Sequence, residues 1–396
     1  MDIIISPRPL RGDLTVIPSK SQAHRLLICA AFSDKPTLLQ CAETNRDMEA
    51  TAECLTALGA NITRTDSGFT VFPVETVPEK ARMNCGESGS TLRFLLPVAG
   101  ALGVDALFTM EGRLPQRPLS PLWEEMERMG CTLTRPTSDT IRCTGKLRPG
   151  AYRIDGGVSS QYITGLLLAL SLLGSGCQLE VTGKIESRPY IDMTKAAISL
   201  FGGDPDHPGD KRFHSPGEVR VEGDWSNGAF FLAANALGSC LTLHGLDPDS
   251  PQGDRAVLEK LSLLGSGAPR ISAADIPDLV PILSVAAAAQ HGAVFTDIRR
   301  LRMKESDRVA SVIAMLTSLG GRAEADENTL TVYPASFTGG IVDSCNDHRI
   351  AMSAAIAATV CTGPVTILGA ECVRKSYPSF WEEYRRLGGH YEQHVR

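Results

Sequence analysis

The sequence predicts an α/β (α+β) protein of two globular domains, each made of three βαβαββ repeat units with buried parallel helices. Two interleaved patterns, each present six times in the 396 residues, support this prediction. One is a helical run that ends in a bulky apolar residue and a glycine, the residue that favours a left-handed helix stop. The other is a helix rich in alanine and leucine, followed by a glycine or aspartate and a short strand.

The two sets of helices are predicted to lie in different layers. The glycine-terminated runs are amphipathic, so we expect them on the outside of each domain. They end at residues 55–59, 126–130, 198–202, 261–265, 316–320 and 384–388. The alanine- and leucine-rich helices are apolar on nearly all sides, so we expect them to be buried. They cover residues 25–34, 93–103, 163–174, 229–238, 280–292 and 350–363.

Short strands complete the units and set the domain boundaries. They follow buried helices, as at residues 37–41, 177–183, 240–245 and 364–369, and a closing strand pair is predicted at 322–326 with 329–333. The segment 204–216 is rich in proline, glycine and charge and predicts the crossing between globules. Residues 1–18 have only strand character, and we expect them to join the C-terminal globule. The predicted domains are therefore 1–18 plus 219–396, and 19–218.

Composition excludes several classes of protein. A net charge of −6 argues against a nucleic-acid partner. Apolar runs stay shorter than the roughly 18 residues that cross a membrane, and the first residues do not have the pattern of a signal peptide. The 11 cysteines form no CxxC pair, which favours reduced, packed thiols and a cytoplasmic location.

Polar residues gather where the buried helices begin. Serine, aspartate and asparagine at such positions can simply cap the helix, a role worth about 1 kcal/mol each. However, six helix N-termini from two facing globules would point into one cleft, and such termini attract anions. Cations accompany them and would strengthen anion binding. They include Lys20, Arg25, Arg93 and Arg349.

Known phosphate and catalytic motifs are absent, which narrows the chemistry. Residues 86–91 lack the spacing of a nucleotide-binding P-loop, and neither GxGxxG nor GxSxG occurs. His390 and His394 have no third metal ligand nearby in the sequence. A small phosphorylated metabolite is therefore the favoured substrate. The acid–base candidates are Lys20, Asp278, Glu305, Asp307 and His348, although Glu305, between Lys304 and Arg308, fits a plain ion pair equally well.

Ten motifs along the whole chain resemble those of the 5-enolpyruvylshikimate-3-phosphate synthase family of enolpyruvyl transferases. They are PSKSQAHR (18–25), GESGSTLR (86–93), LPQRPLSPL (114–122), SSQY (159–162), SRPYIDMT (187–194), VEGDWSNGAFFLAA (221–234), DIPD (275–278), LRMKESDR (301–308), DHRIAM (347–352) and RKSYP (374–378). The resemblance implies transfer of the enolpyruvyl group of phosphoenolpyruvate to the 5-hydroxyl of shikimate 3-phosphate, without metal or cofactor, in a cleft between the domains. These two small molecules are the expected partners. We expect a monomer, because the repeats already bury one another.

The resemblance also implies roles for individual residues. Asp278 would accept the proton of the 5-hydroxyl, and Glu305, with Lys20 or His348, would protonate the methylene carbon. The expected contacts of shikimate 3-phosphate are Lys20, Ser21, Arg25, Ser159, Ser160, Gln161, Ser187, Asp278 and Lys304. Those of phosphoenolpyruvate are Lys20, Gly89, Arg117, Gln161, Arg308, Arg349 and Lys375.

Two positions depart from the family pattern, and three other functions remain open. Glu87 places a carboxylate in the anion loop, and Arg300 stands where the family often has asparagine. Gly89 is retained, which predicts inhibition by glyphosate in competition with phosphoenolpyruvate. The sister transferase acting on UDP-N-acetylglucosamine carries a loop cysteine that is missing between Gly112 and Arg117. An RNA 3′-phosphate cyclase-like enzyme would need a nucleotidyl-accepting histidine and a more basic surface, and a non-enzymatic anion-binding scaffold would not need Asp278 or Glu305.

Overall fold

The computed structural model describes residues 1–394 and divides into two units. We call Pro18–Glu222 the N-terminal unit, and Met1–Ile17 with Gly223–Arg396 the C-terminal unit. The second boundary lies four residues beyond the predicted one, at 222/223 rather than 218/219, because strand Glu218–Arg220 pairs in parallel with Thr37–Gln40 of the N-terminal unit. Residues 204–216, predicted to cross between globules, also belong to the N-terminal unit.

The described residues form the following regular elements. Strands β1 to β20 are Asp2–Ser6, Arg11–Thr15, Thr37–Gln40, Asn61–Thr65, Gly68–Phe72, Lys80–Asn84, Asp105–Thr109, Cys131–Thr134, Thr140–Gly145, Ala151–Asp155, Gln178–Thr182, Glu218–Arg220, Cys240–His244, Arg270–Ser272, Ala293–Thr296, Arg322–Ala325, Thr329–Tyr333, Gly340–Asp343, Val365–Leu368 and His390–His394. Helices α1 to α12 are Lys20–Ala31, Arg46–Ala57, Gly89–Leu102, Leu122–Arg128, Ser160–Leu173, Arg188–Leu200, Trp225–Ala236, Val257–Ser266, Val280–Ala289, Arg308–Ser318, His348–Ala358 and Phe380–Arg386. Short 3-10 helices cover Leu114–Gln116, Gly253–Ala256, Arg299–Met303 and Ala370–Lys375.

Each unit contains the same set of sheets. In the N-terminal unit the strand orders are β12-β3-β5-β4, β6-β7-β9-β8 and β10-β11. In the C-terminal unit they are β14-β15-β17-β16, β18-β19-β1-β20 and β13-β2. Every four-stranded sheet begins with a parallel pair and continues antiparallel, as the βαβαββ pattern requires.

Two of the six predicted units are shorter than expected, since their sheets have two strands. Only three residues, 267–269, separate α8 from β14, which is too few for a closing strand pair. After α6 the chain contains Pro205 and Pro208, whose nitrogens cannot donate to a ladder. The last unit contributes three strands of its own, β18, β19 and β20, and β1 completes the four-stranded sheet by pairing antiparallel with β19 and β20.

The buried helices of the prediction are confirmed. Helices α1, α3 and α5 lie in one hydrophobic core, and α7, α9 and α11 lie in the other. Helices α3 and α5 approach so closely that a β-carbon at Gly165 would lie 2.2 Å from the carbonyl oxygen of Arg93. Among residues 1–394, no helix has both the length and the apolar character needed to cross a membrane.

Candidate active site

Five of the six buried helices begin at a side-chain cap, so the structural role expected for these residues is real. Only α9 differs, since Leu279 at its N-cap position supplies no side-chain hydrogen bond. The capping residues of the other five are Ser19, Ser88, Ser159, Asp224 and Asp347. Caps satisfy backbone N–H groups and keep the following side chains at fixed positions on the first helical turn.

Lys20, the first residue of α1, forms an ion pair within the N-terminal unit. Its Nζ lies 3.0 Å from Oδ2 of Asp47, and both side chains are less than one-fifth exposed, at 15% and 17%. Asp47 lies in the first turn of α2. No sequence pattern indicates Asp47, because 27 residues separate it from Lys20 and no local motif joins them.

Arg25, five residues after Lys20 in α1, is a buried cation bound by neutral groups. Its Nε donates to Thr194 Oγ1 over 2.8 Å, and Nη2 donates to the Tyr190 carbonyl over 2.9 Å. Burial lowers the pKa of Arg25 to about 10, still high enough to keep it charged at neutral pH. Among residues 1–394 no carboxylate pairs with Arg25, and an incoming anion would stabilise such a buried charge.

Two further arginines meet at Gly89, the first residue of α3. A β-carbon at Gly89 would lie 2.6 Å from Arg93 Nη1 and 2.7 Å from Arg117 Nη1, so a larger residue would force both guanidinium groups to shift. Arg93 donates to Gln161 Oε1 and to the Pro118 carbonyl. The buried Nε of Arg117 has no hydrogen-bond partner among the described residues. This corner of the N-terminal unit therefore presents positive charge and a hydrogen-bond donor.

The start of α5 adds serine and glutamine side chains to the N-terminal unit. Gln161 Nε2 donates to Ser90 Oγ over 3.0 Å, and Ser159 Oγ accepts from the Gln161 backbone N–H. Ser160, the first residue of α5, is buried. Ser187 is also buried and has a left-handed backbone, with φ of 56°, directly before α6. Such a conformation is unusual for a non-glycine residue and is often found at binding sites.

Glu87, one of the two departures, lies against the loop that carries Arg117. A β-carbon at Gly112 would lie 2.5 Å from Glu87 Oε2, and Gly112 has φ of +57°. The positive φ favours glycine at this position, and a β-carbon would also force the Glu87 side chain to move. The carboxylate of Glu87 therefore lies beside the beginning of the 112–117 loop.

In the C-terminal unit, Arg308 is enclosed by three carboxylates. Its Nε lies 2.9 Å from Asp347 Oδ2, its Nη1 lies 2.5 Å from Asp278 Oδ1, and its Nη2 lies 2.7 Å from Glu305 Oε2. The Arg308 side chain is 1% exposed. Asp347 also caps α11, so the cage is fixed to a helix start.

Asp278 interacts with three cations at once. Besides Arg308, its carboxylate lies 3.1 Å from Arg349 Nη2 and 3.4 Å from Lys304 Nζ. Burial would raise the pKa of Asp278, but Arg349, Lys304 and Arg308 outweigh it and hold the pKa well below its usual value. The position of Asp278 directly after Pro277, near a helix start, predicts an ionised carboxylate through the helix dipole. In the structure Asp278 does not cap α9, which begins at Val280, and the three cations account for the ionised state.

The pKa of Lys304 is lowered as well, but for this cation the shift favours the neutral form. Burial lowers its pKa to about 8, with smaller contributions from Arg308 and Arg300, although Asp278 and Glu305 act to raise it. Arg300, the second departure, lies in the 3-10 helix Arg299–Met303 immediately before Lys304. The charge of Arg300 therefore helps to lower the pKa of Lys304, a predicted site residue.

Of the remaining predicted residues of the C-terminal unit, Lys375 and His348 lie near the start of α11, and Asp307 lies at the start of α10. Lys375 Nζ donates to the Asn346 carbonyl over 2.9 Å, and Asn346 directly precedes the cap Asp347. His348, the first residue of α11, is 2% exposed. Asp307, an acid–base candidate, caps α10 through hydrogen bonds from Val309 N and Ala310 N.

A carboxylate that the sequence analysis missed belongs to the same group. Asp254 lies in the 3-10 helix Gly253–Ala256, is 3% exposed and accepts a hydrogen bond from Ser226 Oγ. Burial raises its pKa to about 6; Asp278 adds to this rise and Arg349 opposes it. The sequence around Asp254 reads as an ordinary polar turn, so only the fold reveals it.

The C-terminal unit thus contains a cluster in which carboxylates and cations lie in contact with one another. Three cations interact with four carboxylates in this cluster, and Lys375 lies beside it at Asn346. The cations are Lys304, Arg308 and Arg349, and the carboxylates are Asp254, Asp278, Glu305 and Asp347. An anionic ligand can bind here by taking the place of a protein carboxylate on the cations. The displaced carboxylate is then available to accept a proton.

Comparison with known proteins identifies the family. The family model described as EPSP synthase (3-phosphoshikimate 1-carboxyvinyltransferase) matches residues 4–384. The chain belongs to the EPSP synthase family. Its relatives include the 3-phosphoshikimate 1-carboxyvinyltransferase of Clostridium kluyveri, which is 37% identical over 418 residues that cover 99% of this chain and 98% of the relative. That of Clostridioides difficile is 35% identical over 427 residues, with 98% of each chain covered.

Solved structures support the same fold. An EPSP synthase from Acinetobacter baumannii has a TM-score of 0.80 at 23% identity, covering 99% of this chain and 100% of that one. The enolpyruvyl transferase NikO from Streptomyces tendae has a TM-score of 0.76 at 17% identity, covering 100% and 99%. The resemblance and the α/β fold class inferred from the sequence are thereby confirmed.

Proposed function

We propose that this member of the EPSP synthase family transfers the enolpyruvyl group of phosphoenolpyruvate to the 5-hydroxyl of shikimate 3-phosphate. The products are 5-enolpyruvylshikimate 3-phosphate and phosphate, a step in the synthesis of aromatic amino acids. The observation that carries the proposal is Asp278, a carboxylate kept ionised by three cations in a chain of this family. A base and an anion site in direct contact are what this reaction needs.

The reaction consists of an addition followed by an elimination. A proton joins the methylene carbon of phosphoenolpyruvate, the 5-hydroxyl oxygen bonds to the neighbouring carbon, and the hydroxyl proton passes to Asp278. The resulting tetrahedral intermediate then loses phosphate through carbon–oxygen cleavage and loses a methyl proton. The product keeps the double bond, and no electrons are exchanged with a cofactor.

We assign phosphoenolpyruvate to cations of both units. The arginines offset the charge repulsion between phosphoenolpyruvate and shikimate 3-phosphate. Gly89 leaves room for phosphoenolpyruvate beside Arg93 and Arg117. The assigned residues are Lys20, Gly89, Arg117, Gln161, Arg308, Arg349 and Lys375. The unpartnered Nε of Arg117 supports this assignment.

Shikimate 3-phosphate is assigned mainly to the N-terminal unit. The hydroxyls and helix N-termini at Ser159, Ser160 and Ser187 suit a phosphate, and buried Arg25 suits a charged or polar ring substituent. The assigned residues are Lys20, Ser21, Arg25, Ser159, Ser160, Gln161, Ser187, Asp278 and Lys304. Asp278 and Lys304 would contact the reacting 5-hydroxyl.

Proton delivery to carbon is assigned to Glu305, with Lys20 or His348. Glu305 is one-quarter exposed and bonded to Arg308, so it can reach a bound substrate. His348 is almost fully buried at 2% exposure, which favours support of the first turn of α11 over direct proton transfer. Lys20, at 15% exposure, is the more accessible partner.

The proposal includes the location, oligomeric state and partners of the enzyme. The enzyme acts as a monomer in the cytoplasm, with the two small substrates as its partners and no metal or organic cofactor. Glyphosate inhibits it in competition with phosphoenolpyruvate, because Gly89 preserves the space between the arginines. An IC50 that does not change with phosphoenolpyruvate concentration would contradict this part.

Phosphate release in parallel reactions tests the proposal. One reaction holds phosphoenolpyruvate with shikimate 3-phosphate, the other phosphoenolpyruvate with UDP-N-acetylglucosamine, and neither has added metal. Release only with shikimate 3-phosphate is expected. Release only with the sugar nucleotide would transfer the assignment to the sister enzyme, and release in neither would favour the anion-binding scaffold. Replacing Asp278 with alanine should then abolish turnover while substrate binding persists.

A further inference from the structure

A buried histidine that the proposed reaction does not use lies at one end of a chain of hydroxyl groups. Nδ1 of His24 is 2.7 Å from Thr51 Oγ1, which is 2.7 Å from Thr91 Oγ1, which is 2.7 Å from Ser88 Oγ. All four side chains are at most 1% exposed. They connect α1, α2 and α3, since Ser88 is the N-cap of α3.

The surroundings of His24 determine its charge and which ring nitrogen carries the proton. Burial lowers the pKa of His24 well below its usual value, and Lys20 and Arg25 lower it further, so the ring is neutral. A neutral imidazole has one N–H donor and one acceptor. Its buried Nε2 has no hydrogen-bond partner within residues 1–394. Because an orphaned N–H is rarer in proteins than an orphaned acceptor, the proton belongs on Nδ1.

This tautomer gives the chain a direction. His24 donates to Thr51, whose single hydroxyl proton is then directed to Thr91, and Thr91 donates in turn to Ser88. Ser88 Oγ also accepts from the Thr91 backbone N–H over 3.2 Å. Two hydrogen bonds therefore converge on the cap of α3.

The chain ends beside residues assigned to phosphoenolpyruvate. Ser88 directly precedes Gly89, against which Arg93 and Arg117 lie. Thr91 Oγ1 is also 3.4 Å from the carbonyl of Asp47, the residue that pairs with Lys20. The hydroxyl chain thus joins the starts of the three helices that carry Lys20, Asp47 and Gly89.

We propose that His24 is a positioning residue, which acts through Thr51, Thr91 and Ser88 to hold the first turn of α3 in the geometry that binds phosphoenolpyruvate. The inference rests on the proposed function, because affinity for phosphoenolpyruvate is its readout. It assigns to His24 a role in substrate affinity rather than in proton transfer.

The test compares two threonine-to-valine substitutions in the same unit. Thr51→Val breaks the chain in its middle. Thr37→Val is the matched control, because Thr37 is equally buried and its Oγ1 lies 2.6 Å from Ser215 Oγ, outside the chain. We expect Thr51→Val to raise KM for phosphoenolpyruvate about tenfold or more, with kcat and KM for shikimate 3-phosphate within about threefold of wild type. Thr51→Ser should restore KM, and Thr37→Val should lower Tm without changing KM.

Three outcomes would decide against the inference. An unchanged KM for phosphoenolpyruvate in Thr51→Val would show that the chain only stabilises the fold, and so would an equal rise in Thr37→Val or no rescue by Thr51→Ser. If Thr51→Val does not fold, Ser88→Ala breaks the other end and should raise the same KM; an unchanged value there overturns the inference too. A wild-type protein inactive with both substrates would instead refute the proposed function.

Discussion

Arg349 holds Asp278 twice, through the carboxylate at 3.1 Å and through the backbone carbonyl at 3.2 Å. The same carboxylate binds Arg308 and Lys304. An anionic substrate on Arg349 and Arg308 therefore has to compete with Asp278. Under the proposed function, an anion that displaces Asp278 from these cations would raise the pKa of Asp278 and make it a stronger base, which would couple substrate binding to base activation.

Replacing Asp278 with asparagine should separate binding from chemistry. Asp278→Asn keeps the size of the side chain but removes the base, so kcat should fall about 10²- to 10⁴-fold. Binding of phosphoenolpyruvate in the presence of shikimate 3-phosphate should be retained or tighter, because a competing carboxylate has gone. Single-turnover kinetics and calorimetry measure the two quantities. Asp275→Asn, an exposed change three residues earlier, is the control, and turnover of Asp278→Asn within tenfold of wild type would contradict the role of Asp278.

Gly89→Ala should weaken anion binding at the N-terminal unit. Its β-carbon would press on Arg93 and Arg117 at 2.6 Å and 2.7 Å, so both guanidinium groups must shift. We expect KM for phosphoenolpyruvate and the IC50 of glyphosate to rise about tenfold or more, with KM for shikimate 3-phosphate little changed. Gly86→Ala is a useful comparison, because a β-carbon there meets nothing within 4 Å although φ is +51°. It should reduce stability and leave both constants unchanged; equal effects of the two substitutions would refute the steric argument.

Lys304 should set the alkaline limit of activity. Its pKa of about 8 means that the free enzyme loses this charge as the pH rises through that value. The value of kcat/KM should therefore fall above about pH 8. Lys304→Arg keeps its charge to much higher pH, so its profile should stay flat at least one unit further. Lys260→Arg, in the same unit, should keep the wild-type pH profile. If kcat/KM of Lys304→Arg still falls at the wild-type pH, another group sets the alkaline limit.

Asp254 should make stability depend on pH in the mildly acidic range. Its pKa is raised from 3.8 to about 6 in the folded protein, so the folded state binds more protons than the unfolded state between these values. Stability contributed by this group is therefore present below about pH 4 and is lost as pH rises to about 6, by an amount on the order of 3 kcal/mol. Asp254→Asn removes this dependence. The urea midpoint of Asp254→Asn, compared with that of the wild type, should be more favourable at pH 7 than at pH 4. An equal difference between the two proteins at both pH values would contradict the raised pKa.

The repeats made much of the fold predictable from sequence. Each buried helix combines an apolar run with a polar start, and both signals are local, so helices such as α1 and α11 were predicted within a few residues. The closing strand pairs were predicted for all six units, yet two units have two-stranded sheets. A pattern repeated elsewhere in the chain could not reveal that only residues 267–269 separate α8 from β14.

The site was predictable where a motif carries the residues and not where distant segments meet. Arg308, Glu305 and Lys304 stand in one motif, and the structure joins all three to Asp278 or to each other. Asp254 and Asp47 were missed. Their partners come from other helices, so their importance depends on packing that no local pattern records.

Isotope transfer from phosphoenolpyruvate labelled with oxygen-18 at the bridging oxygen tests the central claim most directly. Enolpyruvyl transfer breaks the carbon–oxygen bond, so the label should appear in the released phosphate, together with vinyl proton signals of an enol ether on shikimate 3-phosphate. Mass spectrometry of the phosphate and proton NMR of the product measure both. Label found in pyruvate would show cleavage of the phosphorus–oxygen bond, and phosphate formed without the enol ether would show hydrolysis instead of transfer; either result would contradict the proposed reaction.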